Sequence, residues 1–215
     1  MHFTFILLFC FFINNLFGQN KQEVVFIKQK LHLKENTIYI FCRGTTTKSS
    51  LIAHKFNLRD TNITHAGIGF IENKRISIYN VTDNSNLLKS ALILDSIESY
   101  ISSPEVFFLS VWEFNNTLKE FNSLKFSLDQ YQNKKIVFDS FFNLNHDDTL
   151  YCSEFCASIL NAIGTNKYLF KPTTISLDNA LYQSYLERKI LSYFPVDFFE
   201  TNKKFRQVFK HTFAR

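Results

Sequence analysis

Two β-rich runs, THAGIGFI at 64–71 and RISIYNV at 75–81, are separated only by the polar ENK. That spacing predicts a β-hairpin, and a hairpin needs further strands before it can bury a face. TIYIFCRG (37–44) and EVFFLSVW (105–112) are apolar runs rich in strand formers, and a further short strand fits 190–194. Between them the pattern predicts helices. These are a short one at 49–57, another at 94–101 with Asp95 and Glu98 in capping-box spacing, and one at 114–131 with apolar residues at helical spacing. The run 153–164 reads as a helix stopped by Gly164, followed by helices near 177–188 and 202–211. KIVFDSFF (135–142) fits a strand or a turn equally well. Strands drawn from distant parts of the chain, with helices between them, predict an α+β fold.

The chain has 215 residues, enough for one sizeable core, and its 46% apolar content with 26 phenylalanines excludes a disordered protein. Five glycines and three prolines leave no flexible linker, so a single domain is expected over 20–215. The formal charge of +5 is spread along the chain. Its one basic cluster, Lys203, Lys204, Arg206, Lys210 and His211, reads as the solvated face of the last helix, since no base-stacking motif accompanies it. Nucleic acid is therefore not an expected partner.

The N-terminal MHFTFILLFCFFINNLFGQN has an apolar run from Phe3 to Ile13 and a small residue at Gly18. It reads as a signal peptide over 1–19, although no Lys or Arg precedes the run. The run is shorter than the ~20 residues a membrane-spanning helix requires. Cys10, with Phe9 before it, does not fit a lipoprotein anchor. Export to the periplasm or the medium is the expectation. The mature chain would keep Cys42, Cys152 and Cys156, an odd number that argues against a disulfide framework.

Cys152 and Cys156 lie four residues apart in TLYCSEFCASIL (149–160). Cys156 shares an apolar face with Ile159, Leu160 and Ile163 and reads as a small core residue. Cys152 falls at the helix entrance, where unpaired amides and the dipole favour a thiolate and can hold an oxyanion. A thiol with an ordinary pKa of ~8.5 also needs an imidazole. Position alone favours a structural cysteine. His65 is the candidate imidazole: it alternates with Gly67 and Gly69 on one strand face, where a substrate or another backbone could approach. Taken without Cys152, it reads as a satisfied core histidine. His32, His54 and His211 lie on polar segments. His146, in NHDD, has no second ligand cluster beside it and reads as a solvated loop, so no metal is expected.

THAGIGF followed much later by YCSEF resembles the permuted papain-like amidase family, the YiiX/YaeF-like branch of the NlpC-type cysteine peptidase superfamily. IYIFCRG before the histidine, a polar residue on the strand after it, and FDSFF ahead of the cysteine extend the likeness over roughly residues 35–165. The resemblance implies a circularly permuted papain-like fold, a central antiparallel sheet packed with helices. It also implies a thiol hydrolase of amides or esters: Cys152 as nucleophile, His65 as base, the Cys152 amide as oxyanion donor, and no cofactor. Substrates of such relatives are cell-wall peptides, other amides, or lipid amides and esters. A lipid acyl hydrolase or acyltransferase on the same scaffold ranks second, because YCSEF departs from the NCEHF-like segment of that branch. A non-catalytic secreted binding module is the third reading.

A papain-like imidazole needs an acceptor for its second nitrogen. With Glu72 and Asn73 at the hairpin tip, paired residue numbers sum to 145 and Asn80 faces His65. With a loop longer by two, Thr82 takes that place and Asn80 becomes its diagonal neighbour. Asn80 is the predicted acceptor in both registers, and Glu72, on the turn, is the rival.

Overall fold

The structure, a computed structural model, describes residues 22–47, 50–83, 89–144, 147–164 and 170–213. The predicted signal peptide and His146 lie outside these residues. Helix α1 covers 22–30. There follow β1 (Ile38–Thr45), α2 (Ser50–Phe56), β2 (His65–Glu72), β3 (Arg75–Val81), β4 (Leu92–Asp95), α3 (Ile97–Ile101) and β5 (Val106–Phe114). The second half contains α4 (Leu118–Gln132), β6 (Val137–Phe138), β7 (Thr149–Leu150), α5 (Cys152–Ile163), β8 (Thr173–Ser176), α6 (Ala180–Leu186), β9 (Ile190–Tyr193) and β10 (Phe205–Thr212).

Six strands form one antiparallel sheet in the order β10-β5-β1-β2-β3-β4. The run IYIFC is apolar at every position because β1 is central and covered on both faces. Ile38, Ile40 and Cys42 enter the larger core with α4 and α5, whereas Tyr39 and Phe41 enter a second core with α1 and α3. The fold is thus α+β, as the strand and helix pattern predicted, with a central antiparallel sheet between helical layers.

The β2–β3 turn settles the hairpin register. Asn73 and Lys74 both adopt left-handed backbone (φ 51° and 63°), making a two-residue loop closed by Glu72 opposite Arg75. Paired numbers sum to 147, so the tip is one residue later than Glu72–Asn73. Asn80 therefore stands across from Gly67, diagonal to His65.

The chain departs from the sequence expectation in several places. The segment 202–211 is not a helix: residues 205–212 form the edge strand β10 on β5. A register shift between Gln207 and Phe209 leaves Val208 as an extra residue, and this bulge turns strand alternation into an apparent helical spacing of Phe205, Val208 and Phe209. Arg206, Lys210 and His211 therefore line an edge strand, where charge blocks further pairing, and Lys203 and Lys204 lie in the turn before it. His211 is half-buried against Phe213, with ring centroids 5.0 Å apart. Asp95 does not cap α3: Ser96 does, accepting from Ser99 N, and Asp95 ends β4. Strands β4 and β8, and helix α1, were not anticipated. Among the described residues no helix is long and apolar enough to cross a membrane.

Candidate active site

Cys152 is the first residue of α5, and the N-cap residue Tyr151 offers no side-chain bond to the helix amides. The backbone N–H groups of Ala66 and Ser153 favour the charged form of the Cys152 sulfur. Two side chains lock the helix entrance. Ser153 Oγ donates to the Phe194 carbonyl (2.7 Å), and the Tyr151 hydroxyl accepts from Phe194 N (2.7 Å). Tyr193 reaches across to donate to the Phe56 carbonyl at the end of α2 (2.6 Å). The 193–196 segment therefore forms a fixed wall beside Cys152, a role its sequence did not announce.

His65 opens β2, and its Nε2 lies 2.9 Å from Asn80 Oδ1. The amide orientation follows from the next bond, because Asn80 Nδ2 donates to Asp95 Oδ2 at 3.0 Å and a carboxylate can only accept. Nε2 of His65 therefore carries the proton, and Nδ1 is left as the basic nitrogen. Asp95 is itself held by Ser99 Oγ at 2.7 Å. Gly67 makes this reach possible: a Cβ there would lie 3.0 Å from Asn80 Cβ and 2.8 Å from Ile78 Cγ2. The space beside the β2 glycines is thus filled by β3. Asp95 is the member of this chain that sequence reasoning missed, because its spacing to Glu98 gave it a capping role. Glu72, the rival acceptor, instead pairs with exposed Lys125 at 2.6 Å.

Cys152 and His65 line one cavity of about 260 Å³. No hydrogen bond joins thiol and imidazole among the described residues, although both line the same cavity. Apo catalytic pairs are often longer than their reacting geometry. The cavity lining combines apolar side chains, Ile52, Phe56, Phe138, Phe142, Leu191 and Phe194, with polar ones that include Arg43, Thr45 and Thr64. Cys156 is fully buried in the larger core, as expected, and Cys42, Cys152 and Cys156 are all free thiols.

The electrostatics reverse one expectation. Burial, foremost, and then the Arg43 charge depress the His65 imidazolium to a pKa of about 3, against a smaller opposing effect of the Asn80 bond. Burial also raises the Cys152 thiol; the bonds from Ala66 and Ser153 and the Arg43 charge offset only part of this. A helix terminus contributes about 0.3–1 kcal/mol, less than the loss of solvation of a thiolate only 8% exposed. The resting pair is neutral thiol and neutral imidazole.

No protein-family model matches the chain, and no curated protein matches it. Among solved structures, the crystal structure of the metalloprotein YiiX from Escherichia coli O157:H7 is similar in fold, with a TM-score of 0.60 and 15% identity. The match covers 83% of this chain and 98% of that one.

Proposed function

We propose that this chain is a thiol-dependent hydrolase of amide bonds on a circularly permuted papain-like fold. The observation that carries the proposal is the convergence on one cavity of Cys152, at an uncapped helix N-terminus, and His65, whose Nε2 is held by Asn80. The fold likeness to YiiX supports the scaffold only. In the proposed reaction, His65 Nδ1 takes the Cys152 proton as sulfur bonds to the substrate carbonyl carbon. The amides of α5 face the developing oxyanion. The C–N bond then breaks as the imidazolium returns its proton to the leaving amine. Water, deprotonated by the same nitrogen, cleaves the thioester and releases the acid. Because the resting pair is neutral, proton transfer accompanies attack rather than preceding it.

The name of the YiiX structure raises the question of a metal. Among the described residues no three His, Cys, Asp or Glu side chains converge as a metal site would require. Within the cavity, Cys152 and the Nδ1 atom of His65 make two donors, while Asp83 and Glu105 stand exposed at the rim. The described residues of the cavity do not make a metal centre, and the proposed reaction uses side chains and backbone amides. The apolar part of the cavity lining favours substrates with a hydrocarbon group near the scissile carbonyl, which keeps lipid amides and esters in the substrate class. We further propose that the chain is exported, with its first 18 or 19 residues removed.

The test is labelling with a thiol-reactive probe followed by a substrate screen. Wild type should label at Cys152 and turn over an acyl amide, and Cys152→Ala should do neither. Equal turnover by Cys152→Ala would refute the reading.

A further inference from the structure

Arg43 brings a full positive charge to the cavity and is not used by the proposed reaction. It stands directly across from His65 in the β1–β2 register, so both side chains leave the same face of the sheet. Tyr100, fully buried on α3, fixes it: Nη1 donates to the Tyr100 carbonyl (2.6 Å), and the guanidinium lies 4.5 Å from the Tyr100 ring centroid. The remaining donors are not satisfied. Nε is buried without a partner, and Nη2 makes no hydrogen bond among the described residues.

No carboxylate forms an ion pair with Arg43 among the described residues, although other cations of the protein are paired: Lys28 with Glu98, Lys34 and Arg206 with Glu113, Lys125 with Glu72. Asp95, the acid on the same sheet face, is committed to Asn80 and Ser99. Asp83 and Glu105 border the cavity but are exposed, where water screens them. A half-buried, oriented guanidinium without a counter-charge is costly unless a ligand supplies one.

We infer that Arg43 is an anion-recognition residue of the site, and that the substrate carries a carboxylate beside the carbonyl attacked by Cys152. The planar guanidinium suits a carboxylate better than a point charge would. With the apolar side chains that line the same cavity, the substrate class narrows to amides joining a hydrocarbon group to a carboxylate-bearing unit, such as an N-acyl amino acid. This inference rests on the thiol-hydrolase reading.

The alkylation rates of Cys152 with iodoacetate and with iodoacetamide, followed by peptide mapping, separate the two ideas. The iodoacetate-to-iodoacetamide ratio should fall about tenfold in Arg43→Gln, the scale of one lost charged hydrogen bond. In wild type, hexanoate should protect Cys152 from iodoacetamide and hexanamide should not, a measurement that does not depend on the variant folding. A ratio that differs less than twofold, both reagents slowed equally, or equal protection by the two hexanoyl compounds would overturn the anion site. If iodoacetamide labels Cys152 no faster than Cys156, the thiol-hydrolase reading fails first, and the inference falls with it.

Discussion

Replacing Asn80 with Ala removes one side chain that is wholly buried and makes two bonds, 2.9 Å to His65 and 3.0 Å to Asp95. In the resting state the His65–Asn80 bond joins two neutral groups, a net contribution of about 1 kcal/mol. When His65 takes the thiol proton the same bond becomes charge-assisted, worth about 1.5–3 kcal/mol. The difference appears only as imidazolium develops, so it acts on kcat more than on KM. The loss also frees the ring to rotate and to place its proton on Nδ1, which removes the base. Together these predict a fall in kcat/KM of roughly 10- to 100-fold. Stability should drop by about 1–3 kcal/mol, because Asp95 Oδ2 loses its donor inside the fold. The assay pairs turnover of an acyl amide with thermal unfolding, so that only folded variant is scored. Glu72→Ala is the control: its partner Lys125 is exposed, and such pairs contribute at most about 1 kcal/mol. Folded Asn80→Ala that keeps turnover within about threefold, or a larger loss in Glu72→Ala, would refute the assignment.

Because burial raises the Cys152 thiol and raises Cys156 still further, the iodoacetamide rate at Cys152 should climb with pH beyond 9 and exceed that at Cys156 throughout; a plateau already reached below pH 6 would contradict a neutral resting pair. Glu154, 5% exposed with Oε2 unpartnered, is pushed up to about 8 from 4.5, chiefly by burial. A raised carboxyl pKa means the folded state holds the proton more tightly, so its stabilising effect is complete below pH 4.5 and lost as pH rises through 8. At about 1.4 kcal/mol per pKa unit the loss reaches several kcal/mol at most, and Glu154→Gln should flatten the decline in thermal midpoint between pH 5 and 8; an unchanged slope would refute it. Asp197, 1% exposed, accepts from the backbone amides of Leu58, Arg59 and Asp60 at 3.1, 2.6 and 3.1 Å. Asp197→Ala should cost about 3 kcal/mol in denaturant unfolding, and a loss below 1 kcal/mol would show that water replaces the carboxylate.

The sheet was legible where apolar alternation and turn residues agreed. TIYIFCRG, THAGIGFI, RISIYNV and EVFFLSVW each became a strand within one or two residues of the expected ends, because two buried faces or one buried face with a polar turn leave a strong local trace. β10 was not legible, since one bulged residue turns its period of two into a helix-like spacing. β4 and β8 have only four residues each and owe their pairing to β3 and β9, partners that a local window cannot see. The hairpin register depended on which two of the residues between the strands turn left-handed. Asn73 and Lys74 do so, and that choice leaves Asn80 diagonal to His65 rather than opposite it.

The placement of Cys152, His65 and Asn80 near one another was legible in the sequence, whereas their charge state was not. Position at a helix N-terminus and an imidazole lining the same cavity both argue for a thiolate, and both features are present around Cys152. They lose to a quantity that sequence does not carry, the depth at which the 193–196 wall and the β2 strand enclose the sulfur. The dipole and the two amide bonds are local and modest, whereas removing water from a thiolate and an imidazolium acts on both partners at once. Arg43 then adds an asymmetric effect: it favours the thiolate while opposing the imidazolium. An ion pair of the two would thus be helped at sulfur and hindered at nitrogen. The arrangement keeps His65 neutral, and Asn80 and Asp95 hold it in the tautomer whose Nδ1 carries no proton.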